Sequence, residues 1–246
     1  MKKTVPSLYI SHGSPTFAIE PASLGPQLTQ LGQTLHADYD IKAILVVSPH
    51  WQTLPGKRVA VMHTPQPETI YDFGGFPAEL YTLKYPAQGN PAAAAQTLAC
   101  LAAAGYETHI ETQRGLDHGA WVPLRFLFPQ ANIPVFQISM PYDLTAHAAY
   151  ALGQALKPLR EQGIMILGSG STTHNLSEFR QPQPKTAQAL AFAAWINEKV
   201  MAGNVAALLQ YRSLAPHAVW AHPTDEHLLP LFVALGAAKT DRKSVV

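Results

Sequence analysis

Eleven histidines stand against 16 acidic residues in this 246-residue chain, so imidazole supplies an unusual share of its ionisable groups. A neutral imidazole binds divalent metals, and near neutral pH it also moves protons. Position decides which. Leu8-Tyr9-Ile10-Ser11 leads into His12, and Ile44-Leu45-Val46-Val47-Ser48-Pro49 leads into His50. Ile164-Met165-Ile166-Leu167 runs through Gly168-Ser169-Gly170-Ser171-Thr172-Thr173 into His174. Each of these histidines closely follows a strand-like apolar run. A further cluster, His222-Pro223-Thr224-Asp225-Glu226-His227, stands where a last helix is expected to open with Thr224 as its N-cap. Such a set can hold a divalent metal through neutral imidazoles, with room for one carboxylate. The competing reading is a scatter of unrelated loop histidines, and spacing leaves both open.

Other histidines read differently. His36, His109, His147 and His217 fall on helices or exposed ends and are expected to be structural or solvated. His63 also ends a strand, so that position alone does not make a ligand. Gly168–Thr173 lacks the third glycine of a dinucleotide loop and the lysine of a P-loop, and reads as a tight turn. No G-x-S-x-G elbow is present, so a serine hydrolase is unsupported. Asp117-His118-Gly119-Ala120-Trp121 reads as a loop on spacing alone; in a pocket it could position a substrate.

The elements that must position these residues are short and alternate in type. Strands are predicted over Ser7–Ser11, Ala43–Ser48, Arg58–Met62, Thr108–Glu111, Val135–Met140 and Ile164–Leu167. Helices are predicted over Leu24–Leu35, Pro91–Ala104, Val122–Phe128, Ala146–Gln162, Thr186–Met201 and Asp225–Gly236. That alternation predicts βαβ units, a mostly parallel sheet covered on both faces, and one α/β domain over residues 1–246. Ligands of such sheets bind outside the carboxyl ends of the strands, where His12, His50 and His174 are expected. The stretch Pro65–Pro86, with Tyr71, Phe73, Phe76, Tyr81 and Tyr85, reads as a packed loop.

Composition narrows the function classes. Apolar residues make up 47% and charged residues 13%, with a net charge of +1, which offers no basic face to nucleic acid or an anionic membrane. The single cysteine, Cys100, excludes an internal disulfide framework and a cysteine-rich zinc site, and suits a reducing compartment. Pro91–Gly105 and His227–Ala238 are the most apolar stretches, and both fall short of the ~18 residues of a spanning helix. The expectation is a cytoplasmic protein.

Six ordered segments resemble the DOPA-dioxygenase branch of the class III extradiol ring-cleavage dioxygenases. They are Ile10-Ser11-His12-Gly13-Ser14-Pro15, Val46-Val47-Ser48-Pro49-His50-Trp51, Ile70-Tyr71-Asp72-Phe73-Gly74-Gly75-Phe76-Pro77, Gly115-Leu116-Asp117-His118-Gly119-Ala120-Trp121, Gly168-Ser169-Gly170 with Thr173-His174-Asn175-Leu176, and Pro223-Thr224-Asp225-Glu226-His227. Together they span about residue 7 to 237. The resemblance implies a three-layer α/β/α domain and one divalent metal held by His12, His50 and His227, choosing His227 over His222, Asp225 and Glu226. It assigns His174 to acid–base chemistry beside the metal, where it can approach as a fourth ligand, and makes His118 a catalytic, substrate-touching histidine. It implies 4,5-cleavage of a small catechol such as L-DOPA, with both atoms of O₂ incorporated.

This sequence departs from the wider pattern in two places. Non-haem Fe²⁺ oxygenases typically use two histidines and a carboxylate, whereas three histidines match here. Members of the branch resemble zinc proteins as isolated, yet Zn²⁺ has no redox chemistry, so Fe²⁺ is expected for oxygen activation. Relatives also continue beyond Leu231–Ala238 into a further strand, whereas here Asp241-Arg242-Lys243-Ser244-Val245-Val246 follows. A zinc hydrolase using metal-activated water is the alternative function. A third reading is a structural metal site closed by His174.

Overall fold

Five largely apolar runs and one polar edge segment pair into one sheet in the order β1-β6-β2-β5-β3-β4. The strands are β1 (Ser7–Ser11), β2 (Ala43–Thr53), β3 (Arg58–Met62), β4 (Glu107–Glu111), β5 (Val135–Pro141) and β6 (Ile164–Gly170). The computed structural model describes residues 3–56, 58–181 and 185–238. β1, β6, β2 and β5 run parallel, whereas β3 joins β5 antiparallel and carries the parallel β4 with it. The reversal has a simple cause. Only residues 54–57 separate β2 from β3, and a parallel return needs a crossover of a dozen residues or more.

Helices cover both faces. They are α1 (Leu24–Asp38), α2 (Pro91–Ala103), α3 (His118–Leu127), α4 (Ala146–Leu156), α5 (Thr186–Met201), the short α6 (Val205–Leu209), α7 (Tyr211–Leu214) and α8 (Ala218–Ala221), and α9 (Leu229–Ala237). Alternation along β6 shows the layering: Gly168 and Gly170 face the chain entering α9, while Ser169 between them faces α3. β5 and β6 are buried along their whole lengths and β2 through Pro49, as strands covered on both faces must be. No helix among the described residues is long and apolar enough to cross a membrane.

Some boundaries differ from expectation, each for a local reason. The predicted helix 146–162 is α4 followed by a 3₁₀ segment, Lys157–Gln162, whose first turn holds Pro158, where an α-helical N–H is missing. The predicted turn at Gly168–Thr173 is in its first half strand, because β6 runs to Gly170 in register with Ser11. α3 opens at His118 rather than Val122, since Asp117 is its N-cap and accepts from the Ala120 N–H. The last helix opens at Leu229, not Asp225. Asp225 is drawn away by Tyr211 and Arg212, Thr224 donates to Glu226 instead of capping, and Pro230 starts α9. The proposed C-terminal departure, Asp241–Val246, lies outside the described residues.

Candidate active site

β1, β6 and β2 are parallel neighbours, so their carboxyl ends reach one edge of the sheet, and the histidines gather there. His12 follows β1 directly, 2% exposed, with its backbone N–H on the Gly170 carbonyl at 2.9 Å. His50 sits on a bulge: β2 pairs with β5 up to Val47 opposite Ile138, and resumes only at Gln52 opposite Met140. The bulge turns His50 out of the ladder toward the edge. His227 lies in the turn ahead of α9, buried and pressed onto β6.

The three rings form a compact triangle. Centroids lie 5.1 Å apart for His12 and His50, 5.8 Å for His12 and His227, and 5.1 Å for His50 and His227. One nitrogen from each lies within 4.8 Å of the other two. The outer nitrogens of His12 and His227 are hydrogen-bonded, and that of His50 faces a carboxylate. The Ser169 hydroxyl donates to the Gly119 carbonyl, so its oxygen accepts from His12 Nδ1 at 3.0 Å. His227 Nδ1 donates to Glu226 Oε1 at 3.0 Å, and His50 Nδ1 stands 3.5 Å from Asp72 Oδ2. Those partners leave Nε2 of each ring bare. His12 Nε2 and His50 Nε2 face one another at 3.2 Å, where two lone pairs repel unless they share a cation. That span suits two imidazoles on one divalent ion with bonds of about 2.0–2.1 Å. The donor set therefore fits a divalent metal, with its carboxylates one atom further out.

His118 and His174 flank the triangle. His118, at the start of α3, lies 4.0 Å from the His50 ring and 5.3 Å from the His12 ring. Its Nδ1 meets Asp72 Oδ2 at 2.9 Å, and its backbone N–H donates to Asp72 Oδ1 at 2.9 Å. His174 stacks face to face on His227, centroids 3.4 Å apart and planes 9° apart, held by its N–H on the Ala221 carbonyl. It groups with Glu226 and His227, not with His12 and His50. His222 is elsewhere: fully buried, its Nε2 donates to the Thr172 carbonyl at 2.8 Å and ties the segment bearing His174 to the turn bearing His227.

A packed aromatic loop closes one side, as its composition predicted. Phe73 meets the His118 ring edge-on at 5.6 Å and Tyr81 at 5.3 Å, while the Trp121 indole donates to the Ile70 carbonyl. Below, Arg114 lies over Trp51 and donates to the His50 carbonyl and to Asp117, which Gln137 also engages. This network fixes the bulge and the α3 cap together. Asp72, Ser169 and Glu226 as supports were not legible in the sequence. The one available signal was Asp72, a lone charge within the aromatic run 70–77.

Burial keeps three of the imidazoles neutral, those of His12, His50 and His174. Burial, reinforced by the neighbouring histidines, holds His12 well below the ordinary histidine range and lowers His50 to about 3, Asp72 opposing the latter. Burial and His227 take His174 to about 4. Glu226 resists its own burial through hydrogen bonds from His227 and Thr224 and falls to about 2. Asp72, likewise against burial, is held below its usual value by His118.

A pH dependence follows. Below about 6.5 the unfolded chain protonates these histidines before the folded one does, so metal-free stability falls with pH until the folded groups titrate near 4 and 3. Glu226 adds to the fall below about 4.5. His50 contributes up to ~2 kcal/mol of loss between pH 7.5 and 5, and the more open His174 less. Urea midpoints of metal-free protein at the two pH values measure it, and equal midpoints would contradict it.

Close packing on β6 gives a second expected result. A Cβ at Gly170 would run into the His227 carbonyl oxygen, a backbone atom that cannot swing aside. Gly170→Ala should cost about 1–3 kcal/mol in stability. It should also weaken metal binding by displacing His227, as calorimetric titration with Zn²⁺ would show; unchanged affinity would refute the placement argument.

With this geometry in place, similarity to known proteins decides the family. Residues 5–246 match the family model described as the catalytic LigB subunit of aromatic ring-opening dioxygenase. The chain belongs to the LigB family. It is 39% identical over 241 residues to "4,5-DOPA dioxygenase extradiol" of Beta vulgaris, covering 97% of this chain and 88% of that protein. A protein of the same name from Escherichia coli K12 is 37% identical over 245 residues, covering 95% of this chain and 85% of the relative. The crystal structure of an uncharacterized protein from Escherichia coli K12 superposes with a TM-score of 0.69 at 29% identity, covering 95% of this chain and 88% of that one. This LigB-family member is thus an extradiol aromatic ring-opening dioxygenase, an oxidoreductase acting with O₂ on a small aromatic substrate, and metal-dependent as its family is. None of these relatives points to hydrolysis.

Proposed function

We propose that this protein opens the ring of a small catechol such as L-DOPA by 4,5-extradiol cleavage, at a metal held by His12, His50 and His227. The observation that carries this is one nitrogen from each of three imidazoles converging at the carboxyl edge, with His174 and His118 on either side. Fe²⁺ is the working metal and Zn²⁺ an isolation partner, since the same three imidazoles accept either ion. When bound, a redox-active ion supplies the electron transfer to dioxygen that Zn²⁺ cannot.

The residues do the rest. His174, held neutral by burial, takes a proton from a catechol hydroxyl and later returns it. His118 meets the substrate's polar edge, while Phe73 and Tyr81 offer apolar surface for the ring. The free Cys100 suits a reducing, cytoplasmic setting. The test is oxygen uptake by anaerobically Fe²⁺-reconstituted protein with L-DOPA and a catechol panel, against a Zn²⁺-loaded control. Uptake with a new long-wavelength product in the iron form alone is expected. No uptake with any catechol would overturn the proposal.

A further inference from the structure

Asp72 meets two histidines of the site with one carboxylate, and no resemblance or comparison gives it a task. Its Oδ1 accepts the backbone N–H of His118 at 2.9 Å. Its Oδ2 lies 2.9 Å from His118 Nδ1 and 3.5 Å from His50 Nδ1. An ionised carboxylate can only accept hydrogen bonds, so ring nitrogens aimed at it must carry protons. A neutral imidazole protonated at Nδ1 has its lone pair at Nε2. The His50 and His118 rings lie 4.0 Å apart, on the same side of the site.

We propose that Asp72 is a positioning residue that fixes the tautomers of His50 and His118 together, aiming one bare Nε2 at the metal and the other at the substrate. This inference rests on the ring-opening reading for the substrate's identity. It adds a chemical requirement: His118 presents an acceptor, so the substrate group that meets it must be a donor, as a phenolic hydroxyl is. A methoxy group at that position would leave His118 without a partner. The same carboxylate thereby joins metal affinity and substrate orientation, two properties that otherwise depend on a strand, β2, and a helix, α3.

Asp72→Asn separates positioning from bulk, because the amide has the same shape and only one acceptor. The backbone N–H of His118 cannot change its polarity, so the amide oxygen stays on it. The amide NH₂ then faces the rings and drives His118 to the Nε2–H tautomer. Long-range proton–nitrogen-15 correlation spectra of Zn²⁺-loaded, substrate-free protein read this directly, with His118→Gln used to assign the ring. The wild type should show His118 protonated at Nδ1 and bare at Nε2, and Asp72→Asn should reverse it. Zn²⁺ affinity should fall about 10- to 100-fold, as for other lost partners of metal-bound histidines. Turnover of the iron form should fall about 10²- to 10⁴-fold, the range reported when an orienting carboxylate becomes an amide. Asp72→Glu, which keeps two acceptors, should recover part of both. A wild-type His118 protonated at Nε2 would overturn the proposal, as would an Asp72→Asn protein with unaltered tautomer and turnover. If iron-loaded wild type consumes no oxygen with any catechol, the ring-opening reading fails, yet the zinc-form spectra still decide the role of Asp72.

Discussion

Replacing His174 with glutamine is expected to leave the metal in place and lower turnover about 10²- to 10⁴-fold, the usual contribution of a positioned acid–base group. The ring stacks on His227 at 3.4 Å with nearly parallel planes, which places it directly beside a proposed ligand. Burial and His227 hold it near 4, leaving it an unprotonated base at neutral pH. Glutamine retains a polar side chain but cannot take up a proton in this range. Metal analysis beside single-turnover ring opening separates the outcomes. Full metal content with slow turnover supports the acid–base role. A joint fall in metal affinity and thermal stability would instead mark His174 as a ligand closing a structural site.

His12→Ala should act the opposite way, abolishing metal binding and, with it, oxygen uptake. His12 is nearly inaccessible, its Nδ1 fixed by Ser169 and its Nε2 facing His50. Loss of a ligand should exceed the roughly 10- to 100-fold penalty of losing a supporting partner. Fe²⁺ and Zn²⁺ titrations should both show it. Metal-free stability should change much less than metal affinity, because the substitution also removes the close approach of His12 Nε2 to His50 Nε2. Wild-type affinity in this variant would remove His12 from the ligand set.

Much of the frame was legible in local chemistry. β1 and β3 have their predicted bounds, because a short aliphatic run between polar or glycine residues has few other uses. Where boundaries moved, side chains with local promise found distant partners instead. Thr224 and Asp225 look like the start of a helix, but Glu226, Tyr211 and Arg212 occupy them. The segment 117–121 looks like a loop until Asp117 is seen capping a helix and bound to Gln137 and Arg114.

The histidines followed the same division. Type and position after strands already confined His12, His50 and His174 to one edge of an α/β sheet, because parallel strands must end together. Which fourth histidine joined them was open to spacing, and resemblance favoured His227. The folded chain shows why His222 stands apart: its Nε2 is spent on the Thr172 carbonyl, while His227 Nε2 is bare. The braces Ser169, Asp72 and Glu226 lie 157, 22 and 1 residues from the histidines they hold. The antiparallel β3–β4 pair, the bulge under His50 and the glycine contacts beneath His227 are likewise products of distant approach. Residue type sets what a side chain can do, and strand order sets which edge it reaches. For His12 and His50 the polar partner behind the ring is a neighbour in space alone, and even adjacent Glu226 had other roles open to it, so only the tertiary structure could name them.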